Sequence, residues 1–247
     1  MPKIVAVIPA RWASSRFPGK PLALLAGEPM IRHVCRRAGL IPEVAGVYVA
    51  TDHEGIFEAV REFGGTALMT SPDHRSGSDR LAEAADIIGL EKNDIVINVQ
   101  GDQPCLNPLH PSLMARALIE DENVPVATLA VPLTEPAEIR SPNHVKVVFD
   151  QSCRALYFSR SAIPFYREGT GEYFKHIGLY AYRAGFLREY VAWPPGKLES
   201  AEKLEQLRIL ERSIGIKVVI GQGLSPEVDV PEDLAVAEAV LKQKTFI

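Results

Sequence analysis

The segments 4–9, 47–51, 66–69 and 95–99 are short, almost wholly apolar and rich in β-branched residues, and each runs into a polar loop or a stretch with helical spacing. A strand with almost no polar position has to be covered on both faces. Parallel sheets with helical crossovers achieve this, whereas open antiparallel sheets leave one face wet. Helical patterns at 30–38, 55–63 and 78–88 supply the crossovers, so the first hundred residues predict a mainly parallel α/β sheet. The pattern then changes. Beyond an apolar run at 126–131, the runs 145–149 and 155–158 flank the turn-forming Asp150-Gln151-Ser152-Cys153, which predicts an antiparallel hairpin insertion. Further elements are expected at 173–182 (strand), 198–214 (helix, from the apolar spacing of Leu204, Leu207 and 210–214), 217–220 (strand) and 231–242 (helix). No repeat, low-complexity tract or linker divides the 247 residues, so one domain spanning 1–247 is expected, with a smaller lobe at about 143–182.

Charge narrows the choice of partner. The formal net charge is −4 and the basic residues are scattered, which argues against nucleic acid or an anionic membrane and for a small ligand. The apolar run at 4–10 ends at Arg11, too soon for a signal peptide or a membrane span. Cys35, Cys105 and Cys153 are widely spaced and form no Cys-x-x-Cys pair; free thiols in a reducing, cytoplasmic compartment are expected.

Two places carry recognisable chemistry. The loop after the first strand brings Arg11, Arg16 and Lys20 together with Ser14, Ser15 and Gly19. Fixed cations and exposed backbone N–H groups near a helix start can surround a triphosphate. The spacing matches neither a Walker A loop nor a G-x-G-x-x-G fingerprint, which disfavours P-loop and dinucleotide chemistry. The fourth strand stops at Gly101-Asp102-Gln103-Pro104, and ligands of open α/β sheets bind at the carboxyl edge of the strands, so position alone makes Asp102 a candidate.

A series of blocks is more specific than either place. Ile8-Pro9-Ala10-Arg11, Ala50-Thr51-Asp52, Ser76-Gly77-Ser78-Asp79-Arg80, Asn98-Val99-Gln100-Gly101-Asp102, the stretch 155–161, His176-Ile177-Gly178 and Leu204-Glu205-Gln206-Leu207-Arg208 together resemble the 3-deoxy-manno-octulosonate cytidylyltransferase (CMP-Kdo synthetase) family, with the blocks in its order from Ile4 to Leu234. The resemblance implies a single Rossmann-like nucleotidyltransferase domain. It implies transfer of CMP from CTP to the anomeric hydroxyl of the sugar acid Kdo, by in-line attack at the α-phosphorus with release of pyrophosphate, to give CMP-Kdo for lipopolysaccharide biosynthesis. It further implies Mg²⁺ on Asp102 and Asp229, with Arg11, Arg16 and Lys20 on the triphosphate and Arg16 also near the sugar. Asp102, Asp229, Lys20 and Arg16 are then the catalytic set. Ala10, Arg75, Ser76, Gly77 and Asp79 would lie against cytosine and ribose. Gln100, Arg160, His176, Tyr180, Glu205 and Gln206 would hold the sugar, and a homodimer would form through 143–182.

The residue chemistry is compatible with these roles and with plainer ones. Mg²⁺ takes hard oxygen ligands, one or two of them protein carboxylates. Arg160 suits a sugar carboxylate, and Gln, Glu and Tyr suit hydroxyls. Against this, Asp229 could cap the helix at 231, Ser76 and Asp79 read as a helix start, His176 sits in a Tyr-rich strand, and Glu205 sits in a charged helix. Two departures from the family's usual pattern are Gln103, where Glu is common, and His144 in Asn143-His144-Val145-Lys146; Glu227 also stands where Gly is usual. They resemble a branch that uses the 8-amino analogue of the sugar, whose ammonium Glu227 or Glu205 could complement. A sialic acid cytidylyltransferase, a catalytically silent nucleotide-binding protein and a NAD-dependent oxidoreductase are the competing readings.

Overall fold

The computed structural model describes residues 1–12, 17–223 and 225–243. The chain opens with β1 (Ile4–Ala10), a 3-10 turn at Lys20–Leu22, the two-residue strands β2 (Leu24–Leu25) and β3 (Glu28–Pro29), and α1 (Met30–Ala38). Regular alternation follows: β4 (Gly46–Thr51), α2 (Glu54–Glu62), β5 (Thr66–Met69), α3 (Gly77–Ile88), β6 (Ile95–Asn98), α4 (Leu109–Glu120), β7 (Val126–Leu133) and the short α5 (Pro136–Arg140). The last third holds β8 (Lys146–Phe149), β9 (Ala155–Ser159), β10 (Tyr173–Arg183), α6 (Ala184–Val191), α7 (Lys197–Glu202), α8 (Leu207–Leu210), β11 (Ile216–Ile220) and α9 (Asp233–Lys242).

Among the described residues nine strands make one sheet with the path β11-β7-β10-β6-β1-β4-β5, and β8 joins it through β10 and carries β9. The pairs β1–β4, β1–β6, β4–β5 and β7–β11 are parallel, as the doubly apolar runs require. In β1, Ile4, Ala6, Ile8 and Ala10 face one core and Val5 and Val7 the other, which is the period of two that a strand covered on both faces shows. The first core packs α1, α2 and α4 on one side of the sheet, and the second packs α3, α6 and α8 on the other. A smaller third cluster joins Leu25 and Met30 to Cys105, Val228 and Ala237, so the returning C-terminal segment is docked beside the β2–β3 hairpin. No helix among the described residues is long and apolar enough to cross a membrane.

Two expectations are corrected. The segment 173–182 is not part of a separate lobe: β10 lies in the middle of the sheet, antiparallel to both β6 and β7, and only the β8–β9 hairpin stands off the main path. The helix expected over 198–214 is broken into α7 and α8, because Lys203 takes a left-handed conformation (φ 55°) that ends the first helix. Its apolar spacing is real, since Leu204, Leu207 and Ile209 all face the second core, but the break turns Glu205 and Gln206 toward the carboxyl edge of the sheet.

Arg80 pins α3 to that edge. Its side chain is fully buried and donates to Asp52 Oδ2 at 2.6 Å and to Thr70 Oγ1 at 2.5 Å, past the ends of β4 and β5. Removing one partner of a buried pair strands the other charge. Asp52→Ala is therefore expected to destabilise the chain by about 3 kcal/mol, measured as a lower midpoint in urea unfolding.

Candidate active site

A cavity of about 520 Å³ opens at the carboxyl ends of β1 and β6, with the start of α3, the middle of β10 and the α7–α8 break closing its sides. At one end sits Lys20. Trp12 and Gly19 bring the ends of the first loop together: Gly19 N donates to Trp12 O at 3.2 Å, and the Trp12 ring stacks on His53 with centroids 4.2 Å apart. Gly19 has φ 69°, a conformation that costs glycine little and lets the chain turn directly into the 3-10 turn carrying Lys20. Ser14, Ser15 and Arg16 lie outside the described residues.

The Lys20 ammonium donates to Asp102 Oδ2 at 2.8 Å and to Val228 O at 3.0 Å, and lies 3.8 Å from Asp229 Oδ1. Two aspartates 127 positions apart in sequence therefore share one cation. The segments bearing them are joined directly, since Val228 N donates to Asp102 O at 2.9 Å. Gly101 packs closely on the end of β1, where a Cβ would come 3.1 Å from Pro9 O. Asp229 does not cap the last helix, whose N-cap is Glu232 and has no side-chain cap bond; Asp233, at the helix start, accepts instead from Asp229 N at 2.8 Å and Val230 N at 3.0 Å in the preceding turn. The Asp229 carboxylate faces Lys20 at the site. Two hard carboxylates already balanced by a cation are a donor set that fits Mg²⁺.

The other end of the cavity is polar and largely uncharged. His176 Nε2 lies 2.9 Å from Thr128 Oγ1, while that hydroxyl donates to Leu179 O at 2.8 Å. The hydroxyl's one proton is thus committed, so His176 Nε2 carries the hydrogen and donates. Burial pushes the His176 pKa down to about 3, which keeps the ring neutral. Both hydrogen bonds exist because the β7–β10 register slips between Ile177 and Tyr180. Gln100 Nε2 donates to the displaced Gly178 carbonyl at 3.1 Å. Burial raises the Tyr180 hydroxyl far above its ordinary range, so it stays a neutral donor.

Glu205 and Gln206 enter from the α7–α8 break. Arg208 holds the break in place with a two-pronged pair to Glu199, both contacts at 2.7 Å, and a donor to Trp193 O at 3.0 Å. Glu205 accepts from Ser78 Oγ at 3.2 Å, and its burial raises its pKa against the opposing pull of Arg208 and Ser78. Gln206 Nε2 and Asn98 Oδ1 are buried and have no hydrogen-bond partner among the described residues, so both are suited to a bound hydroxyl.

The structure thus brings Ala10, Arg11, Lys20, Gly77, Gln100, Asp102, His176, Tyr180, Glu205 and Gln206 to one cavity, with Asp229 joined through Lys20. It does not bring Arg160 there. That guanidinium donates to Glu202 O at 2.8 Å and Pro142 O at 2.9 Å, tying the end of β9 to neighbouring loops. Arg75, Ser76 and Asp79 line an adjoining depression beyond Glu205, and Ser76 and Asp79 form a reciprocal capping box on α3. Glu227 faces a second depression, away from the cavity. Ser78, which the resemblance places in a segment 73–79 against the nucleotide, also lines the cavity, and so do Asn98, Tyr182 and Tyr190, to which sequence reasoning gave no role. Asn98 was visible inside a quoted block, whereas Tyr190 lies on α6, for which no expectation was formed.

The family model described as "Cytidylyltransferase" matches residues 5–217. A 3-deoxy-manno-octulosonate cytidylyltransferase of Desulfatibacillum aliphaticivorans is 51% identical, covering 98% of this chain and 100% of its own. An 8-amino-3,8-dideoxy-manno-octulosonate cytidylyltransferase of Shewanella woodyi is 48% identical over 96% of this chain and 98% of its own. Among solved structures, a CMP:2-keto-3-deoxy-manno-octonic acid synthetase complexed with CTP superposes with a TM-score of 0.93 at 44% identity, covering 98% of this chain and 99% of that one.

The buried neutral His176 has a consequence for acid stability. Its folded pKa lies below the unfolded value, so protons bind preferentially to the unfolded chain once the pH falls below about 6.5. The associated stability is complete above that pH and is lost as the pH falls toward 3. His176→Gln is expected to flatten the decline in unfolding midpoint between pH 6.5 and 4, read by urea unfolding at a series of pH values.

Proposed function

The chain belongs to the cytidylyltransferase family, and from that premise we propose that it transfers CMP from CTP to the anomeric hydroxyl of 3-deoxy-manno-octulosonate, releasing pyrophosphate. The nucleotidyl-transfer chemistry is the family's. The observation that carries the finer reading is the convergence of Asp102 and Asp229 on one cation at the mouth of a cavity whose other end is built of buried neutral donors and acceptors. An anionic nucleotide and a polyhydroxylated acid call for those two ends.

In this reading Lys20 and Arg11 receive the phosphates, and Lys20 exchanges its contact with Asp102 for the departing pyrophosphate, offsetting the charge that develops there. Asp102 and Asp229 would hold Mg²⁺, which when bound would supply charge neutralisation to the phosphates and lower the pKa of the attacking hydroxyl. Gln100, Tyr180, Glu205 and Gln206 orient the sugar so that this hydroxyl points at phosphorus, a gain of proximity rather than of covalent catalysis. Gly77 and Ser78, at the first turn of α3, bring backbone N–H groups to the same cavity.

A second reading, the same transfer to the 8-amino analogue, is favoured by the Shewanella relatives and by Glu205, a carboxylate in the sugar end of the cavity. The free thiols, with burial pushing Cys105 up to about 11, fit a reducing cytoplasm. Leu156 and Phe165, 62% and 87% exposed, support a homodimer through the hairpin region. Sedimentation as a dimer at micromolar concentration is the expected outcome, and a monomer removes that reading.

The function is tested by pyrophosphate release with each of the four nucleoside triphosphates and with Kdo, its 8-amino analogue and sialic acid. CTP with one of the two octulosonates is the expected pair. Asp102→Asn is expected to reduce turnover by at least a thousandfold while leaving the unfolding midpoint within a few degrees. A folded Asp102→Asn protein with normal turnover would remove the carboxylate from the mechanism.

A further inference from the structure

The departures at 103 and 227 touch each other. Gln103 Nε2 donates to Glu227 Oε1 at 2.8 Å, across 124 positions of sequence. Gln103 adjoins Asp102, and Glu227 precedes Asp229 by two residues. Between them Val228 is fully buried in the third core cluster and uses both of its backbone groups at the site, the N–H on Asp102 O and the carbonyl on Lys20. The segments 102–103 and 227–229 are thus held together by two links of different kinds, one backbone and one side chain.

The side-chain link has a specific positional task. Glu227 is exposed and faces a depression away from the cavity, and the Gln103 amide is what holds its carboxylate against the 102–103 segment. Without the amide, the carboxylate would turn to water and draw the 227–229 segment away from Asp102. We propose that Gln103 and Glu227 form a positioning pair that sets the separation of Asp102 and Asp229, and through it the strength with which the site couples a divalent cation to the nucleotide. Neither residue touches substrate; each acts through its neighbouring aspartate. The proposal rests on the reading of Asp102 and Asp229 as Mg²⁺ ligands. Groups that orient metal ligands from outside typically account for about 10- to 100-fold in affinity.

The identities at the two positions are linked by this geometry. Gln103→Met keeps the bulk and removes the donor, leaving Glu227 unpartnered. Glu227→Gln keeps an acceptor for the Gln103 amide and removes the charge. The double variant Gln103→Met with Glu227→Met removes both polar groups and strands neither.

The readout is the ratio of CTP dissociation constants without and with Mg²⁺, measured by calorimetry on the intact protein in EDTA and in saturating Mg²⁺, with no turnover involved. Gln103→Met is expected to lower that ratio about tenfold while leaving CTP affinity in EDTA within about twofold of the parent protein. Glu227→Gln should keep the ratio within about threefold, and the double variant should recover most of it. A Gln103→Met protein with the parental ratio overturns the proposal. So does a Glu227→Gln protein that loses as much as Gln103→Met, since charge rather than positioning would then be at work. If the parent protein itself shows no Mg²⁺ dependence, the metal reading of the aspartates fails, and that result is distinct from either of the others. Should Gln103→Met fail to fold, the Glu227→Gln and double variants still decide the question: a double variant that folds with the ratio reduced tenfold overturns it.

Discussion

Two carboxylates brought within reach of one cation repel each other, and a fold that uses them has to supply the force that keeps them there. Here it comes from three sources on different parts of the chain. The Lys20 ammonium lies between Asp102 and Asp229 and screens one from the other. The Val228 N–H is committed to the Asp102 carbonyl, which fixes the backbone distance whatever the side chains do. Val228 itself is immersed among Leu25, Met30, Cys105 and Ala237, so moving Asp229 away would undock the start of the last helix. The apolar burial of the C-terminal segment and the electrostatics of the site are therefore one energetic problem. The short β2–β3 hairpin matters for the same reason, because Leu25 completes that cluster.

The opposite end of the cavity depends on an irregularity. A perfectly paired β10 would direct its carbonyls along the sheet, but the register slip between Ile177 and Tyr180 frees those of Gly178 and Leu179. Gln100 and Thr128 take up the two carbonyls, and Thr128 in doing so fixes which nitrogen of His176 carries its proton. One bulge thus sets the orientation of Gln100 and His176, which line the cavity, and of Thr128 buried behind them. The break at Lys203 plays the corresponding role across the cavity, where the Arg208–Glu199 pair holds Glu205 and Gln206 in place.

These two irregularities mark the boundary of what was legible in sequence. The parallel strands could be read because doubly buried strands leave an unmistakable apolar run, and β1, β4, β5 and β6 fall where those runs predict. Asp102 could be read from its place after a buried strand. Asp229 could not be separated from a helix cap by local pattern, since the helix begins only at Asp233, four positions on, and its N-cap is Glu232. Lys203 has no local signal for a left-handed turn, so the apolar spacing on either side of it read as one helix. The central place of β10 was hidden as well: periodicity reports which faces are buried, not which neighbours a strand pairs with. Arg160 shows the limit of transferring a role by residue type, for its donors reach the Glu202 and Pro142 carbonyls instead of the cavity.

The placement of Arg160 bears on how an acidic sugar can sit. With that guanidinium turned to the backbone, the cationic side chains that line the cavity among the described residues are Arg11 and Lys20, both at the first-loop end. The other end offers a neutral imidazole and tyrosine hydroxyls, which carry no charge to balance a carboxylate, and the partly desolvated Glu205, which repels one and accepts from hydroxyls. In a 2-keto sugar acid the carboxylate is bonded to the anomeric carbon, so whatever draws the carboxylate draws the reacting hydroxyl with it. Matching charge to charge would therefore place the anomeric centre beside Lys20 and Asp102 and extend the polyol tail toward Glu205 and Gln206. The same polarity that orders the substrate along the cavity brings its nucleophile to the pair of aspartates, and no residue has to grip the sugar at the reacting carbon from the far side.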